Sequence, residues 1–160
     1  MIVSKATTLK GQPLKDVSQT VDEMKRLINS YYSDMAFAQN MSIEEFYKYV
    51  KRLPYVEDEV ACQAQGYDPA KYDCEFVQRP ALTIDRGGDC DDKVVVAASY
   101  MTLRNIPYRI VTVSYRPDKQ FEHVYLYIWY GGVWLPFDPT LSTVGIFKEH
   151  RPYTSLKVWS

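Results

Sequence analysis

Cysteine is scarce in this chain, at three residues, and histidine scarcer, at two. Cys62, Cys74 and Cys90 cannot all pair within one chain, which excludes a disulfide framework like those of small secreted domains and leaves at least one thiol free. Closely spaced cysteine pairs are missing as well, so no familiar zinc module is present, and Cys62 and Cys74 read as ordinary structural thiols. A basic excess is also lacking: 19 Lys and Arg stand against 20 Asp and Glu, for a net charge of −1. Nothing here draws a phosphate backbone, and no nucleic-acid partner is expected. No segment approaches the roughly 20 consecutive apolar residues of a membrane span, and Met1 to Gln12 holds no apolar run long enough for a signal-peptide core. The expectation is a cytoplasmic protein without a membrane partner.

What is present is a chain of 160 residues, 46% hydrophobic and 24% charged, the size and composition of one globular domain. Met1 to Leu14, with Gly11 and Pro13, reads as a flexible arm, and residues 15–160 as a single domain. Val17, Val21, Met24, Leu27, Ile28 and Tyr31 recur at the spacing of one helical face, so a helix is expected from Val17 to about Met35. Ser42, with Glu45 three residues on, resembles a capping box opening a second helix that ends near Arg52 before Pro54. Tyr55 to Ile84, broken at Asp68-Pro69 and Arg79-Pro80, reads as a long connection with room for one short turn of helix. Fourteen tyrosines, concentrated in Tyr31 to Tyr72 and Tyr100 to Tyr130, suit aromatic-lined clefts as well as core.

Asp89 is placed to cap a helix running from Cys90 to about Arg104 and closed by Asn105 and Pro107. Val94, Val95 and Val96 would also suit a strand, but apolar residues on nearly all sides describe a buried central helix. Tyr108 to Tyr115, His123 to Tyr130 and Val133 to Asp138 are β-rich, and Gly131-Gly132 is a two-residue hairpin signal. Leu156 to Trp159 is a candidate further strand. The fold class is α+β: N-terminal helices, then a buried helix packed on an antiparallel meander.

The hairpin places the chemistry. With Gly131-Gly132 as the loop, Tyr130 pairs with Val133, and residues whose numbers sum to 263 lie opposite each other. Side chains alternate with period two, so His123, Tyr125 and Asp138 share one face, with His123 and Asp138 as diagonal neighbours. A one-residue slip would put them on opposite faces. Gly87-Gly88-Asp89-Cys90-Asp91-Asp92 supplies a nucleophile at a helix start, where backbone N–H groups favour a thiolate and could hold an oxyanion. The three flanking aspartates oppose the thiolate, and the sign of the balance stays open at this point. Tyr55 and Gln78 are candidates for an auxiliary oxyanion donor.

Gly88-Asp89-Cys90-Asp91-Asp92, the apolar helix after it, Asn105-Ile106-Pro107-Tyr108-Arg109, His123-Val124-Tyr125 and Trp134-Leu135-Pro136-Phe137-Asp138-Pro139-Thr140 together resemble the transglutaminase-like, papain-related core. Asn105 stands where that family commonly has glycine, a change a left-handed position tolerates. The resemblance implies Cys90 as nucleophile, His123 as base and Asp138 as the residue orienting it, in a thiol acyl-transfer enzyme that needs no cofactor. It implies a protein or peptide amide substrate cleaved through a thioester, as by a cysteine protease. The upstream segments are similar to phage- and prophage-encoded members, which implies host cytoplasm or virion as the setting and phage structural proteins as a second partner class. It also leaves a non-enzymatic assembly protein of the same fold as the alternative. Asp-Cys-Asp resembles the Asp-Cys-Glu of bacterial transglutaminase-like cysteine proteinases, whose flanking carboxylates bind calcium, which makes Asp89 and Asp91 calcium candidates.

Overall fold

The computed structural model describes residues 17–58, 63, 66 and 77–160. The N-terminal arm, Cys62, Cys74 and most of the connection after Asp58 lie outside the described residues. Helix α1 covers Val17–Tyr31 and buries Val21, Met24, Leu27 and Ile28, the stripe its spacing predicts. It then tightens into a 3-10 helix over Tyr32–Ala38, so the α-helix ends before Met35. Helix α2 spans Ile43–Arg52, and Ser42 caps it by accepting a hydrogen bond from the Glu45 N–H.

Helix α3, Pro80–Arg86, corrects the reading of Arg79-Pro80 as a break. Proline at the first helical position lacks only an N–H that would have had no helical partner, and its fixed φ suits the helix. Asp34 holds this entry in place: it accepts from Arg79 Nε at 2.9 Å, Arg79 Nη2 at 2.7 Å and the Ala81 N–H at 3.0 Å. Burial pushes the Asp34 carboxyl up, but the bonds from Arg79 and Ala81 outweigh it and hold the group below its usual range. A lowered folded-state pKa gives stability that is present above the unfolded value of about 3.9 and lost as pH falls through the folded one. Arg79→Met is therefore expected to cost about 1–2 kcal/mol near neutrality, as a half-buried bidentate pair should. In a double-mutant cycle with Asp34→Asn, monitored by urea unfolding, the coupling should fade as pH drops below 4. Coupling that does not change with pH would remove the ion pair from the account.

Helix α4, Cys90–Leu103, is the centre of the molecule, with every residue from Asp92 to Met101 buried. The three valines are helical because helices and sheet enclose them on all sides, which outweighs their weak β preference. Asn105 follows at φ 55° and turns the chain into the sheet. Strands β1 (Tyr108–Ser114), β2 (His123–Tyr130), β3 (Val133–Phe137) and β4 (Ser155–Trp159) form one antiparallel sheet of order β3-β2-β1-β4. Val124, Leu126, Ile128, Ile110 and Phe137 join the helical core, while Val111, Val113 and Tyr125 form a smaller cluster on the opposite face. Stacking of Phe46 on Tyr100, with ring centroids 3.7 Å apart, ties α2 to α4.

Candidate active site

The start of α4 is built by close backbone approach. Gly87 sits at φ 80°, and a Cβ there would lie 2.3 Å from the Pro54 carbonyl oxygen; one on Gly88 would lie 2.5 Å from Asp92 Cβ. Gly87 leaves room for the Pro54–Val56 segment, which pairs directly with this turn, and Gly88 leaves room for the Asp92 side chain; Gly88 N–H donates to Pro54 O and Val56 N–H to Gly88 O, each at 3.0 Å. Asp89 and Asp92 then complete a reciprocal capping box, Asp92 N–H to Asp89 Oδ1 at 3.4 Å and Asp89 N–H to Asp92 Oδ2 at 3.1 Å. The other Asp92 oxygen accepts from Gln78 N–H at 2.8 Å.

This frame leaves the Cys90 side chain half-buried, its thiol donating to Asp91 Oδ1 at 3.8 Å. Burial pushes the thiol well above its usual pKa, Asp91 and Asp89 add to the effect, and only the Val124 backbone N–H opposes them appreciably. The balance left open by the sequence falls on the side of the neutral thiol. Helix-end stabilisation is worth at most about 2 kcal/mol, less than desolvation and adjacent carboxylates can impose together.

The β2–β3 register is the predicted one, with Tyr130 opposite Val133 and Leu126 opposite Phe137. Gly131 and Gly132, at φ 63° and 82°, make the tight loop that sets it. His123 opens β2, Asp138 follows β3, and His123 Nε2 meets Asp138 Oδ2 at 2.7 Å. A carboxylate only accepts, so the shared proton belongs on Nε2 and leaves Nδ1 with its lone pair. Asp138 is fully buried, His123 nearly so. The second Asp138 oxygen accepts from Thr140 N–H at 3.0 Å and Leu141 N–H at 3.4 Å, which fixes the carboxylate plane.

Tyr47, on α2, is a supporting residue that sequence reasoning missed. Its hydroxyl donates to the backbone oxygen of Asp138 at 2.9 Å and of Val144 at 3.3 Å. Burial, with Asp138 adding to it, pushes this hydroxyl up to about 12, so it remains a donor. Lys51 reaches the same Val144 oxygen. Lys93, one turn after Cys90, is buried as well; burial pushes its ammonium down, and Asp138 opposes the shift. Along the chain Tyr47 stands out only by sharing the buried face of α2 with Ile43, Phe46 and Val50.

Cys90 and His123 line one cavity of about 270 Å³ with Tyr55, Asp89, Asp91 and Glu122. Tyr55 is 56% exposed; the partial burial of its hydroxyl, with the nearby Cys90 and Asp89 adding to it, pushes it up to about 12. Gln78 is a brace, its amide nitrogen donating to Gly87 O at 3.0 Å and Thr83 Oγ1 at 3.3 Å, which takes it away from an oxyanion role. Among the described residues, the carboxylates whose oxygens gather within 4.8 Å of one another, as a metal would need, are Asp58, Asp89 and Asp92. Asp89 belongs to that group and Asp91 does not; Asp92 has both oxygens engaged by backbone N–H groups. Asp91 lies on the cavity side of Cys90 and donates no ligand atom to that group of three.

A half-buried thiol at the start of a central helix, facing a cavity shared with a histidine bound to a buried carboxylate, defines the class of thiol-site α+β domains. The chain belongs to the transglutaminase-like superfamily, whose family model matches residues 26–139 and so spans Cys90, His123 and Asp138. Among solved structures, a protein from Cytophaga hutchinsonii described as a candidate cysteine protease is similar over 76% of this chain at 15% identity, with a TM-score of 0.38; the match spans 38% of that protein's chain. No curated protein matches. Among the described residues, no helix is long and apolar enough to cross a membrane.

Proposed function

We propose that the protein hydrolyses protein or peptide amide bonds by acyl transfer through Cys90, with His123 as general base and Asp138 as its orienting partner. The observation that carries this reading is the 2.7 Å contact between His123 Nε2 and Asp138 Oδ2, with His123 and Cys90 lining one cavity. It leaves Nδ1 as the ring nitrogen able to take a proton. As Cys90 Sγ attacks the carbonyl carbon, its proton passes to Nδ1; the tetrahedral intermediate collapses, the amine departs with that proton, and a thioester remains. Water, deprotonated by the same nitrogen, then releases the acid and restores the thiol. The Cys90 N–H at the first position of α4 and the Tyr55 hydroxyl are the donors assigned to the oxyanion. Because the resting thiol is neutral, proton transfer accompanies attack, rather than preceding it as in a preformed ion pair.

The resemblance to phage-encoded proteins gives this reading a setting without a substrate. A docking role is the second reading, favoured by the aromatic tip of the β2–β3 hairpin, where Trp129 and Val133 are 43% and 50% exposed. That tip lies about 20 Å along β2 from His123, so the two roles are separable.

The test is to incubate a denatured proteome digest with the protein and with Cys90→Ala and compare new N-termini by mass spectrometry. Cleavages present only with the thiol support hydrolysis; none, with the variant folded, would leave docking as the better reading. A companion measurement follows the rate of Cys90 alkylation by iodoacetamide against pH. The inflection should fall above the unperturbed thiol value of about 8.5, and Asp91→Asn should bring it down by removing a repelling charge. An inflection below 7 would overturn the neutral-thiol mechanism.

A further inference from the structure

The walls of the Cys90 cavity carry one sign of charge. Asp89 and Asp91 flank the nucleophile in sequence, and Glu122 stands immediately before His123, so carboxylates border the reacting atoms from both the helix and the sheet. Among the described residues that line the cavity there is no lysine or arginine. The nearest counter-charge to Glu122 is Arg116 at 3.9 Å, an exposed side chain whose shorter contact, 2.7 Å, is to Asp118. The apolar part of the wall comes from Val17, Val21 and Met24 on α1 and from Phe121, with the neutral Thr20, Thr112 and Tyr55 beside it. At about 270 Å³ the space is below the usual range for a drug-sized ligand and suits a single side chain.

Apolar wall and carboxylate rim together match one kind of side chain: a long aliphatic stem ending in a cation. We propose that this cavity selects amide substrates carrying a lysine or arginine beside the scissile bond. This rests on the acyl-transfer reading above and adds the substrate class. Methylenes pack against Val21, Met24 and Phe121 while the ammonium or guanidinium lies among Asp89, Asp91 and Glu122. An acidic side chain in the same position would meet these carboxylates at close range, and like-charge contact rejects it.

Peptidyl acyloxymethyl ketones test this without requiring turnover, because they alkylate a thiol after docking as an acyl substrate would. Reagents of one backbone, carrying lysine, arginine, norleucine, citrulline or glutamate at the two positions nearest the reactive group, are compared by their second-order rate of adduct formation at Cys90. The assay contains chelator, so that divalent cations do not compete. Lysine and arginine reagents should react about tenfold or more faster than their neutral counterparts, with glutamate slower again. High salt should narrow the ratio, as should Asp91→Asn and, separately, Glu122→Gln. Each ratio is internal to one protein, so altered intrinsic reactivity in a variant cancels, and Glu122→Gln serves if Asp91→Asn disturbs the helix start. Equal rates for all charges, or a cationic preference indifferent to salt and to both variants, would overturn the charge selection while leaving the thiol site standing. If iodoacetamide labels Cys90 but no peptidyl reagent does, the acyl-transfer reading itself fails and the selection with it.

Discussion

Cys90→Ala is expected to lower amide hydrolysis by about 10⁴-fold or more while changing folding stability by less than about 1 kcal/mol. The rate loss follows from removing the atom that forms the covalent intermediate; nucleophile deletions in enzymes of this logic leave only binding and oxyanion stabilisation behind. The small stability change follows from the position. The Cys90 side chain is half-buried and faces a cavity, so its loss opens no sealed void, and the capping box that starts α4 is formed by Asp89 and Asp92. Activity is read on a substrate found by N-terminal profiling, stability by urea unfolding. A variant that retains activity within tenfold would show that Cys90 is not the nucleophile. A variant that unfolds would show that the thiol is structural.

Asp138→Asn should lower kcat by about 10³ to 10⁴-fold with little change in KM, because its effect is on the tautomer of His123. The two carboxylate oxygens have different tasks: Oδ1 accepts backbone N–H groups from Thr140 and Leu141, and Oδ2 faces His123 Nε2. An asparagine keeps its oxygen on the backbone side and turns its NH₂ toward Nε2, which must then accept. The ring proton moves to Nδ1, and the base has no lone pair left for the thiol. Nitrogen NMR of His123 should report the tautomer exchange directly. Asp138→Ala should add a stability loss of about 2–3 kcal/mol, since it leaves backbone donors and a buried imidazole without their acceptor. A fully active Asp138→Asn with the exchanged tautomer would remove the orienting role.

Much of this arrangement was legible locally. Ser42 and Asp89 announced their helices because a side-chain oxygen three residues before a backbone N–H is a contact within one turn. The pairing of His123 with Asp138 was readable for a similar reason: Gly131-Gly132 allows a two-residue loop, the loop sets the register, and period two puts both residues on one face. Pro80 was misread because a proline both ends one segment and opens the next, and choosing between these needs the Asp34 contact from 47 residues away.

Sequence by itself therefore determined helices α1, α2 and α4, the strands, the hairpin register and the face that holds His123 and Asp138, all consequences of interactions between near neighbours in the chain. Tertiary structure alone decided what depends on distant segments meeting. It set β4 beside β1 and placed the Tyr47 hydroxyl on the Asp138 carbonyl, 91 residues along the chain. It engaged Gln78 as a brace and grouped Asp89 with Asp58 and Asp92 instead of Asp91. The state of the thiol belongs with these: helix end and aspartates could be read in order along the chain, but the burial that outweighs the helix end exists only once α4 is enclosed by its neighbours.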